Sequence, residues 1–591
     1  QADPERLLKR ISLDLTGLLP NVKDQEDFFK DPSIDNYKKE INKLLASPHY
    51  GEKMAISWMD LARYADSHGY QDDGLRTMWP WRDWVIHAFN KNYSYKKFVS
   101  WQIAGDFIAP NNKEAILATG FNRNHKITQE GGVIQEEYRT EYVTDRTNTF
   151  SKSFLGLTME CAKCHDHKYD PISQEEYFKT FAFFNQVDEK GLVGDISLGS
   201  LADPPLIKIS KKEVNELLKF INLQDTIVSV MVMKDLEQRR PTHILRRGQY
   251  DQPDRTVGFG LPEAVLPYDT LKFSPNRKGL SDWMFDDNNP LVARVFVNRV
   301  WENFFGRGLV KTSGDFGLQG DLPSHLALLD WLAVDFKEHN WDIKRLVRQI
   351  VSSATYQQAA NVSQEKIKKD PENIWLSRAP RLRLPAELIK DLILASSGLL
   401  IPEIGGPSVK SYQPDGIWES TTSGRGQLAT YIQDHGKSLY RRGIYNFIKR
   451  TAPPPSMLTF DGPPRDQCEI SRSRTNTPLQ ALILLNDPMI NEAARVFAEK
   501  LIVEKKGNVD ELIGVAFRRI VCRKAKSNEV SALADFYKEQ YKYFISKAGQ
   551  AEKVLDQGEY PHENLKDKNE VAALALTILT IYNLEESISK T

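Results

Sequence analysis

The sequence has few cysteines, no net charge and no long apolar run. Four of its 591 residues are cysteine, which argues against a fold built on disulfide bonds. Lysine and arginine together number 79, as do aspartate and glutamate. The chain therefore lacks the overall basic field typical of nucleic-acid binders. No stretch reaches the roughly 18–20 apolar residues of a membrane-spanning helix. We expect neither a nucleic-acid partner nor a membrane span.

The composition is that of a globular protein with a large core. Hydrophobic residues make up 41% of the chain and charged residues 27%, well inside the range of folded proteins. A chain of this length is enough for roughly three to four ordinary domains. No internal repeat of fixed period is present.

Hydrophobic periodicity predicts a mainly α, multi-helix, two-domain protein. Helical patterns cover 133–150, 175–187, 290–305 and 325–358, and return from 478 onward. Residues 5–50 read as two helices around the turn at 17–21. Between 190 and 280 Gly, Pro and β-branched residues predict short strands. The predicted division is a first domain over 1–190, an irregular, β-containing connecting region over 191–280, and a helical domain over 281–591.

One motif carries the strongest chemical signal in the sequence. Cys161, Cys164 and His165 form the spacing Cys-x-x-Cys-His, the signature of covalent haem c attachment. Both thiols bond the haem vinyl groups in such a motif, and the adjacent imidazole is the proximal ligand of the iron. The sixth ligand is not evident from the sequence.

Two other interpretations of this motif remain open. Cys161, Cys164, His165 and His167 are four zinc-ligand types, with His165 and His167 as the metal-binding imidazoles. The two histidines lie so close in sequence that they crowd a single ion. Alternatively, Cys161 and Cys164 form a dithiol redox pair.

A stripe of carboxylates precedes the motif. Glu137, Glu141 and Asp145 lie at i, i+4 and i+8 of a predicted helix, where like charges repel each other and need a partner. We consider them, with His167, as catalytic candidates, because a carboxylate beside a redox centre can act as general base. A bound calcium ion or a solvated surface are the alternatives.

Two further patterns suggest ligand binding. The polar loop at 66–73 lies between tryptophan-rich helices, so Trp79 and Trp81 are candidates for stacking on a sugar ring; a locally capped turn is the alternative. Residues 437–474 are rich in arginine, with Arg441, Arg442 and Arg474 as candidates for gripping a sulfate or carboxylate. Internal ion pairing is the alternative interpretation of this cluster.

Long segments of the sequence resemble the planctomycete-type cytochrome c domain family. In the first half they are ISLDLTGLLP at 11–20, LLASPHYG at 44–51, DLARYADS at 60–67, WRDWVI at 81–86, EGG at 130–132 and CAKCHDHKYDP at 161–171. In the second half NRVW at 298–301, DFG at 315–317, GGPS at 405–408 and RTNTPLQ at 474–480 are similar to the partner domain usually fused to it.

The resemblance implies an exported bacterial protein, periplasmic or on the cell surface. Together with the motif it favours a haem-c-type oxidoreductase that oxidises a carbohydrate or glycan-derived substrate, anionic or sulfated. The expected electron acceptor is a cytochrome, or an N-terminal cytochrome domain that would precede this chain. The alternative is a glycan-binding or hydrolytic protein with a structural zinc site.

Overall fold

The computed structural model describes residues 1–192, 201–505 and 507–590, and about half of the chain is helical. The predicted mainly α fold is confirmed. The connecting region predicted over 191–280 includes residues 193–200, which lie outside the described residues.

The helices in the first part of the chain are α1 (Pro4–Thr16), α2 (Val22–Lys30), α3 (Ile34–Ala46), α4 (His49–Leu61), α5 (Trp79–Asn90), α6 (Tyr95–Ile108), α7 (Lys113–Ala118), α8 (Gln135–Phe150), α9 (Gln174–Asn185) and α10 (Lys211–Glu216). Those in the second part are α11 (Arg277–Met284), α12 (Leu291–Phe305), α13 (Leu326–Glu338), α14 (Ile343–Ser352), α15 (Gln364–Lys369), α16 (Ala386–Ser397), α17 (Pro455–Thr459), α18 (Pro478–Asn486), α19 (Pro488–Glu504), α20 (Val509–Val521), α21 (Ser527–Ser546), α22 (Gln550–Leu555) and α23 (Lys568–Tyr582).

The β structure of the described residues consists of three antiparallel pairs. Strand β1 (Leu206–Ser210) pairs with β2 (Ile227–Met231), and β3 (Thr242–Leu245) pairs with β4 (Pro253–Val257) across a bulge. These two pairs lie where the sequence predicts short strands. The third pair joins β5 (Leu382–Arg383) to β6 (Ser589–Lys590).

Residues 5–50 form three helices, not the predicted two. Gly17 ends α1 in the left-handed conformation at φ 71°, and an added Cβ would lie 2.6 Å from Leu388 Cδ2, so glycine is required there. Pro32 then separates α2 from α3, whose N-terminus is capped by the Ser33 hydroxyl. Proline disfavours helix at the residue before it, which explains the extra break.

One hydrophobic core runs through both halves of the molecule. Its buried residues extend from Ala2, just before α1, to Tyr582 at the end of α23. The termini also meet, because β6 packs near α1 and Lys590 pairs with Asp14. The two halves consequently share a large packed interface, and that interface holds both pockets described below.

Candidate functional site

Helix α8 carries the carboxylate stripe and exposes it. Its opposite face is buried through residues such as Tyr142, Val143 and Phe150. Glu136 and Glu137 occupy the first turn, where the positive end of the helix dipole favours acidic side chains. Glu137 and Glu141 are exposed, and Asp145 is partly buried.

The Cys-x-x-Cys-His motif begins on a short 3₁₀ turn, Glu160–Lys163, between α8 and α9, and Cys164 and His165 directly follow that turn. Gln174, the first residue of α9, fixes this turn: its backbone N–H donates to Asp166 Oδ1 over 2.8 Å, and its side-chain amide donates to the Lys163 carbonyl over 3.0 Å. A capping box of Ser173 and Glu176 starts α9, so the turn rests on a well-formed helix end.

Both motif thiols are free and exposed, and so is His165. The Nδ1 of His165 lies 2.7 Å from the carbonyl oxygen of Asp166. An Nδ1–H that donates to a carbonyl leaves Nε2 available as a metal ligand, the usual arrangement for a ligating histidine. Two accessible thiols beside such an imidazole fit covalent haem attachment at the protein surface.

His167 is directed elsewhere. Its Nδ1 accepts the backbone N–H of Asp170 over 2.8 Å, and the Asp170 carboxylate in turn accepts from the N–H of Leu318. Among the residues the structure describes, no group of three or more His, Cys, Asp and Glu side chains is arranged to hold a metal ion. The four residues predicted as zinc ligands, Cys161, Cys164, His165 and His167, therefore do not form a metal site in this structure. The same holds for the carboxylates predicted as calcium ligands, Glu137, Glu141 and Asp145.

A polar pocket adjoins the motif; we call it the motif-side pocket. Its volume is about 340 Å³, at the small end of the roughly 300–1,000 Å³ typical of ligand sites. It is lined by Tyr70, His125, Lys126, Glu141, Tyr142, Thr144, Asp145, Asn148, Thr149, Lys152, Glu160, Asp466, Gln467 and Cys468. Helix α8 contributes one wall, and the segment 466–468 from the second half of the chain contributes another.

The pocket and the motif share a wall. Glu160 lines the pocket and directly precedes Cys161. Glu141, on the neighbouring wall, has its Oε1 2.7 Å from the Nζ of Lys163 inside the motif. A ligand in this pocket would consequently lie against the turn that carries both thiols.

The charges around this pocket are paired. Lys152 pairs with Glu160, Lys163 with Glu141 and Lys126 with Asp466, the last over 3.8 Å. Asp145 Oδ1 lies 2.9 Å from Nη2 of the fully buried Arg63. Because these charges are paired, the pocket has little net electrostatic field, while its polar side chains can still form hydrogen bonds to a ligand. These properties suit a neutral polar ligand.

Buried arginines lie behind the pocket and fix His125. Arg146 Nη2 donates to His125 Nε2 over 2.9 Å, and the ring stacks on Tyr142. Burial, with the guanidinium groups of Arg146 and Arg123, lowers the pKa of His125 well below its usual value. Because both ring nitrogens have partners, this neutral histidine is part of the wall and not a free ligand.

The predictions for Trp79 and Trp81 as sugar-stacking residues are wrong. Trp79 is 8% exposed and Trp81 0%, and the indole N–H of Trp81 donates to the Ala118 carbonyl over 3.0 Å. Both rings are core residues on α5, so no sugar can reach them. The polar loop at 66–73 contributes Tyr70 instead, whose ring is only partly buried.

The predictions for Arg441 and Arg442 as anion-binding residues are also wrong. Both are buried. Arg442 pairs with Glu52 over 2.6 Å and with Asp391 over 2.7 Å, and Arg441 donates to backbone carbonyls, including that of Pro407 over 3.0 Å. Internal pairing thus consumes these two cations. Arg474 differs, because it is exposed and lines a second pocket.

Sequence reasoning missed several pocket residues. Lys126, Lys152 and Asp466 lie far apart in sequence and belong to no motif. Glu160 directly precedes Cys161, and this adjacency could have identified it as a residue of the site. Tyr70 lay inside the polar loop that the sequence already marked.

The protein is mainly helical, and its two halves share one hydrophobic core. The motif-side pocket lies beside the Cys-x-x-Cys-His motif. Residues 1–189 match the family model PSCyt2, described as a protein of unknown function (DUF1549). Residues 276–537 match PSD1, described as a protein of unknown function (DUF1553). This pair is typical of planctomycete-type proteins of unknown function, and neither match shows a cytochrome c domain. No curated protein and no solved structure matches the chain.

Within the described residues, no helix combines the length and apolarity needed to cross a membrane.

Proposed function

We propose that the protein is an exported haem-c-type oxidoreductase that oxidises a carbohydrate bound in the motif-side pocket. The observation that carries this proposal is the shared wall between pocket and motif, formed by Glu160 and by the contact of Glu141 with Lys163. Haem would be held by Cys161, Cys164 and His165, and when bound it would accept electrons one at a time.

The character of the pocket supports a sugar as substrate. Oxidation of a secondary alcohol to a ketone releases two protons and two electrons. One proton would pass to a carboxylate base and the other to solvent water, and the electrons would pass in turn to a further acceptor, which we propose is a cytochrome. Sugars offer many hydroxyl groups and little charge, which matches a pocket of paired charges and polar side chains. Tyr70 contributes an aromatic side chain to the lining.

Glu141 is the residue we propose as general base. Its Oε1 is engaged by Lys163, an interaction that orients the carboxylate while the second oxygen stays available to a hydroxyl proton. Asp145 has a different role, because its contact with the buried Arg63 fixes it as part of the pocket floor. Glu137 does not line the pocket, although it lies on the same helix.

The first experiment asks whether haem is present. Protein produced in a host with periplasmic cytochrome maturation should be red, show a Soret band and keep its colour after acid–acetone extraction. Colourless protein from that host would overturn the proposal. Zinc detected in such protein, or release of hydrolysis products from a glycan, would favour the alternative of a glycan-binding or hydrolytic protein.

The second experiment tests Glu141 against its neighbour Glu137. Glu141→Gln should lower turnover of a sugar substrate with an electron-accepting dye by about 10²-fold or more, the usual contribution of a general base. Glu137→Gln is the matched control, since it removes the same charge from the same helix outside the pocket, and its turnover should be unchanged. Both variants should keep the wild-type haem spectrum. Equal turnover in the two variants would contradict the assignment.

A further inference from the structure

A second, smaller pocket lies between the two halves of the chain; we call it the cationic pocket. It has a volume of about 90 Å³, far below the roughly 300–1,000 Å³ of sites for larger ligands. Its central charged residues are Lys53 on α4, Arg299 and Glu302 on α12, and Arg474. The size suits a single small group.

Three cations of this pocket lack a carboxylate partner among the described residues. Arg299 is 5% exposed, and its Nε and Nη1 have no hydrogen-bond partner, although Nη2 donates to the Ser153 carbonyl over 2.8 Å. Arg474 donates to the Gly306 carbonyl over 3.0 Å. Lys53 has neither a hydrogen bond nor an ion pair within the described ranges.

The remaining charges of the pocket are already paired. Arg383 pairs with Asp461, and Arg472 pairs with Asp60. Glu302 is the one carboxylate of the described lining that forms no ion pair. Its charge acts on Arg299 and Arg474, and it accepts the hydroxyls of Ser313 and Ser471. Three unpaired cations therefore face one unpaired carboxylate, and the pocket has an excess of two positive charges.

Buried guanidinium nitrogens without partners are costly, because a buried donor that loses its hydrogen bond to water is not compensated. An anion with several oxygens would accept hydrogen bonds from one of these Arg299 nitrogens and from the neighbouring cations, and a doubly charged anion would neutralise the excess charge. Burial lowers the pKa of Lys53 to about 8, although the charge of Asp14 acts in the opposite direction.

We propose that the cationic pocket binds a tetrahedral oxyanion, phosphate or sulfate, either free or as an ester. Lys53, Arg299 and Arg474 hold its oxygens, and Ser473 of the lining is available as a further donor. This proposal is independent of haem and of Glu141, since none of the residues involved belongs to the motif-side pocket.

The test measures binding of sodium sulfate and sodium phosphate by calorimetry at constant ionic strength, with chloride as the balancing anion. Lys53→Met and Arg474→Gln should each weaken binding by about tenfold or more, the effect of losing one hydrogen bond to a charged group. Arg381→Gln is the matched control, because Arg381 is an arginine of the same half of the chain that pairs with Glu585 outside the pocket. Its affinity should equal that of the wild type.

Two outcomes would overturn the proposal. One is a wild-type response to sulfate and phosphate no greater than the response to chloride. The other is unchanged affinity in both Lys53→Met and Arg474→Gln. Arg474 is exposed, so Arg474→Gln should fold and provides a second, independent measurement beside Lys53→Met.

A comparison of ligands distinguishes the two sources of the anion. Glucose 6-phosphate and glucose 6-sulfate are compared with the inorganic ions and with uncharged glucose. Tighter binding of an ester than of its inorganic ion assigns the pocket to an esterified ligand, whereas equal binding assigns it to the free anion. Either result supports an oxyanion site, and glucose binding as tightly as the esters would contradict it.

Discussion

The motif-side pocket and the cationic pocket are neighbours, but they differ in whether their charged side chains form ion pairs. They are linked through Ser153, whose carbonyl accepts from Arg299 and whose hydroxyl lies 3.3 Å from Cys468 Sγ. In the motif-side pocket the lysines and carboxylates are paired across the cavity. In the cationic pocket three cations have no carboxylate partner among the described residues.

This difference separates structural charges from charges that are available to a ligand. A buried cation with good carboxylate partners stabilises the fold only as a member of its pair, and removal of one member leaves an uncompensated charge. A buried cation without such partners destabilises the protein until a ligand arrives. Arginine content alone does not distinguish the two cases, as Arg442 and Arg299 demonstrate.

The largest effect is expected from Arg442→Met. This change would leave the buried carboxylates of Glu52 and Asp391 without their cation. We expect a loss of about 3–5 kcal/mol in the free energy of unfolding, measured by urea denaturation. The control Arg381→Gln breaks the exposed pair with Glu585 and should cost only about 0–1 kcal/mol. Similar losses in both variants would contradict the division between structural and available cations.

A smaller effect is expected from Asp145→Asn at the floor of the motif-side pocket. The change removes the counter-charge of the fully buried Arg63, and we expect a loss of about 1–3 kcal/mol. Urea denaturation would measure it, with Glu141→Gln as control, because the Glu141–Lys163 pair is much more exposed. If Glu141→Gln destabilised the fold as much as Asp145→Asn, their proposed roles would be indistinguishable.

A pH-dependent effect is expected from Lys53→Met in the cationic pocket. The charged groups that act on Lys53 are Asp14, Lys590, Arg442 and Arg472. Burial lowers its pKa to about 8 in the folded protein, against an ordinary value of 10.5. The folded state therefore loses its proton first, and wild-type stability rises with pH between these two values. Lys53→Met should be more stable than the wild type at pH 7, on the order of 1–2 kcal/mol.

That advantage should shrink as the pH rises from about 8 to 10.5, and it should also shrink at pH 7 when saturating sulfate is added. Thermal denaturation across this range would measure it, with Lys38→Met as control, because Lys38 is an exposed lysine on α3 that lies outside the pocket. A constant difference at all pH values would show that charge is not the cause.

The smallest effect is expected from Arg299→Met. Because two of its nitrogens are buried without partners, replacing the guanidinium by an apolar side chain of similar length should change the free energy of unfolding by less than about 1 kcal/mol in either direction. The comparison with Arg442→Met is direct, since both are buried arginines measured in the same urea experiment. A loss near that of Arg442→Met would place Arg299 among the structural cations.

Much of the local structure was predictable from the sequence. The helix predicted at 133–150 is found at Gln135–Phe150, and that predicted at 290–305 is found at Leu291–Phe305. The stripe of Glu137, Glu141 and Asp145 does lie outside the buried face of α8. These features depend on periodicity over a few turns, which the chain carries locally.

Burial of particular side chains was not predictable in the same way. Trp81 and Arg441 looked like ligand-binding residues because their chemistry suits a sugar ring and an anion. Trp81 is buried in the core because distant segments pack against it. Arg441 donates hydrogen bonds to backbone carbonyls of residues 403–407. Residue type describes what a side chain can bind, whereas its neighbours decide whether it is free to do so.

The sequence by itself determined the helical pattern and the close grouping of Cys161, Cys164 and His165, because both depend on spacing along the chain. Only the tertiary structure decided which charges are satisfied. Arg442 and Glu52 are 390 residues apart, and Lys126 and Asp466 come from different halves of the molecule. Charge pairing is a property of distance in space, so the neutral motif-side pocket and the cationic pocket beside it emerge only when the two halves pack together.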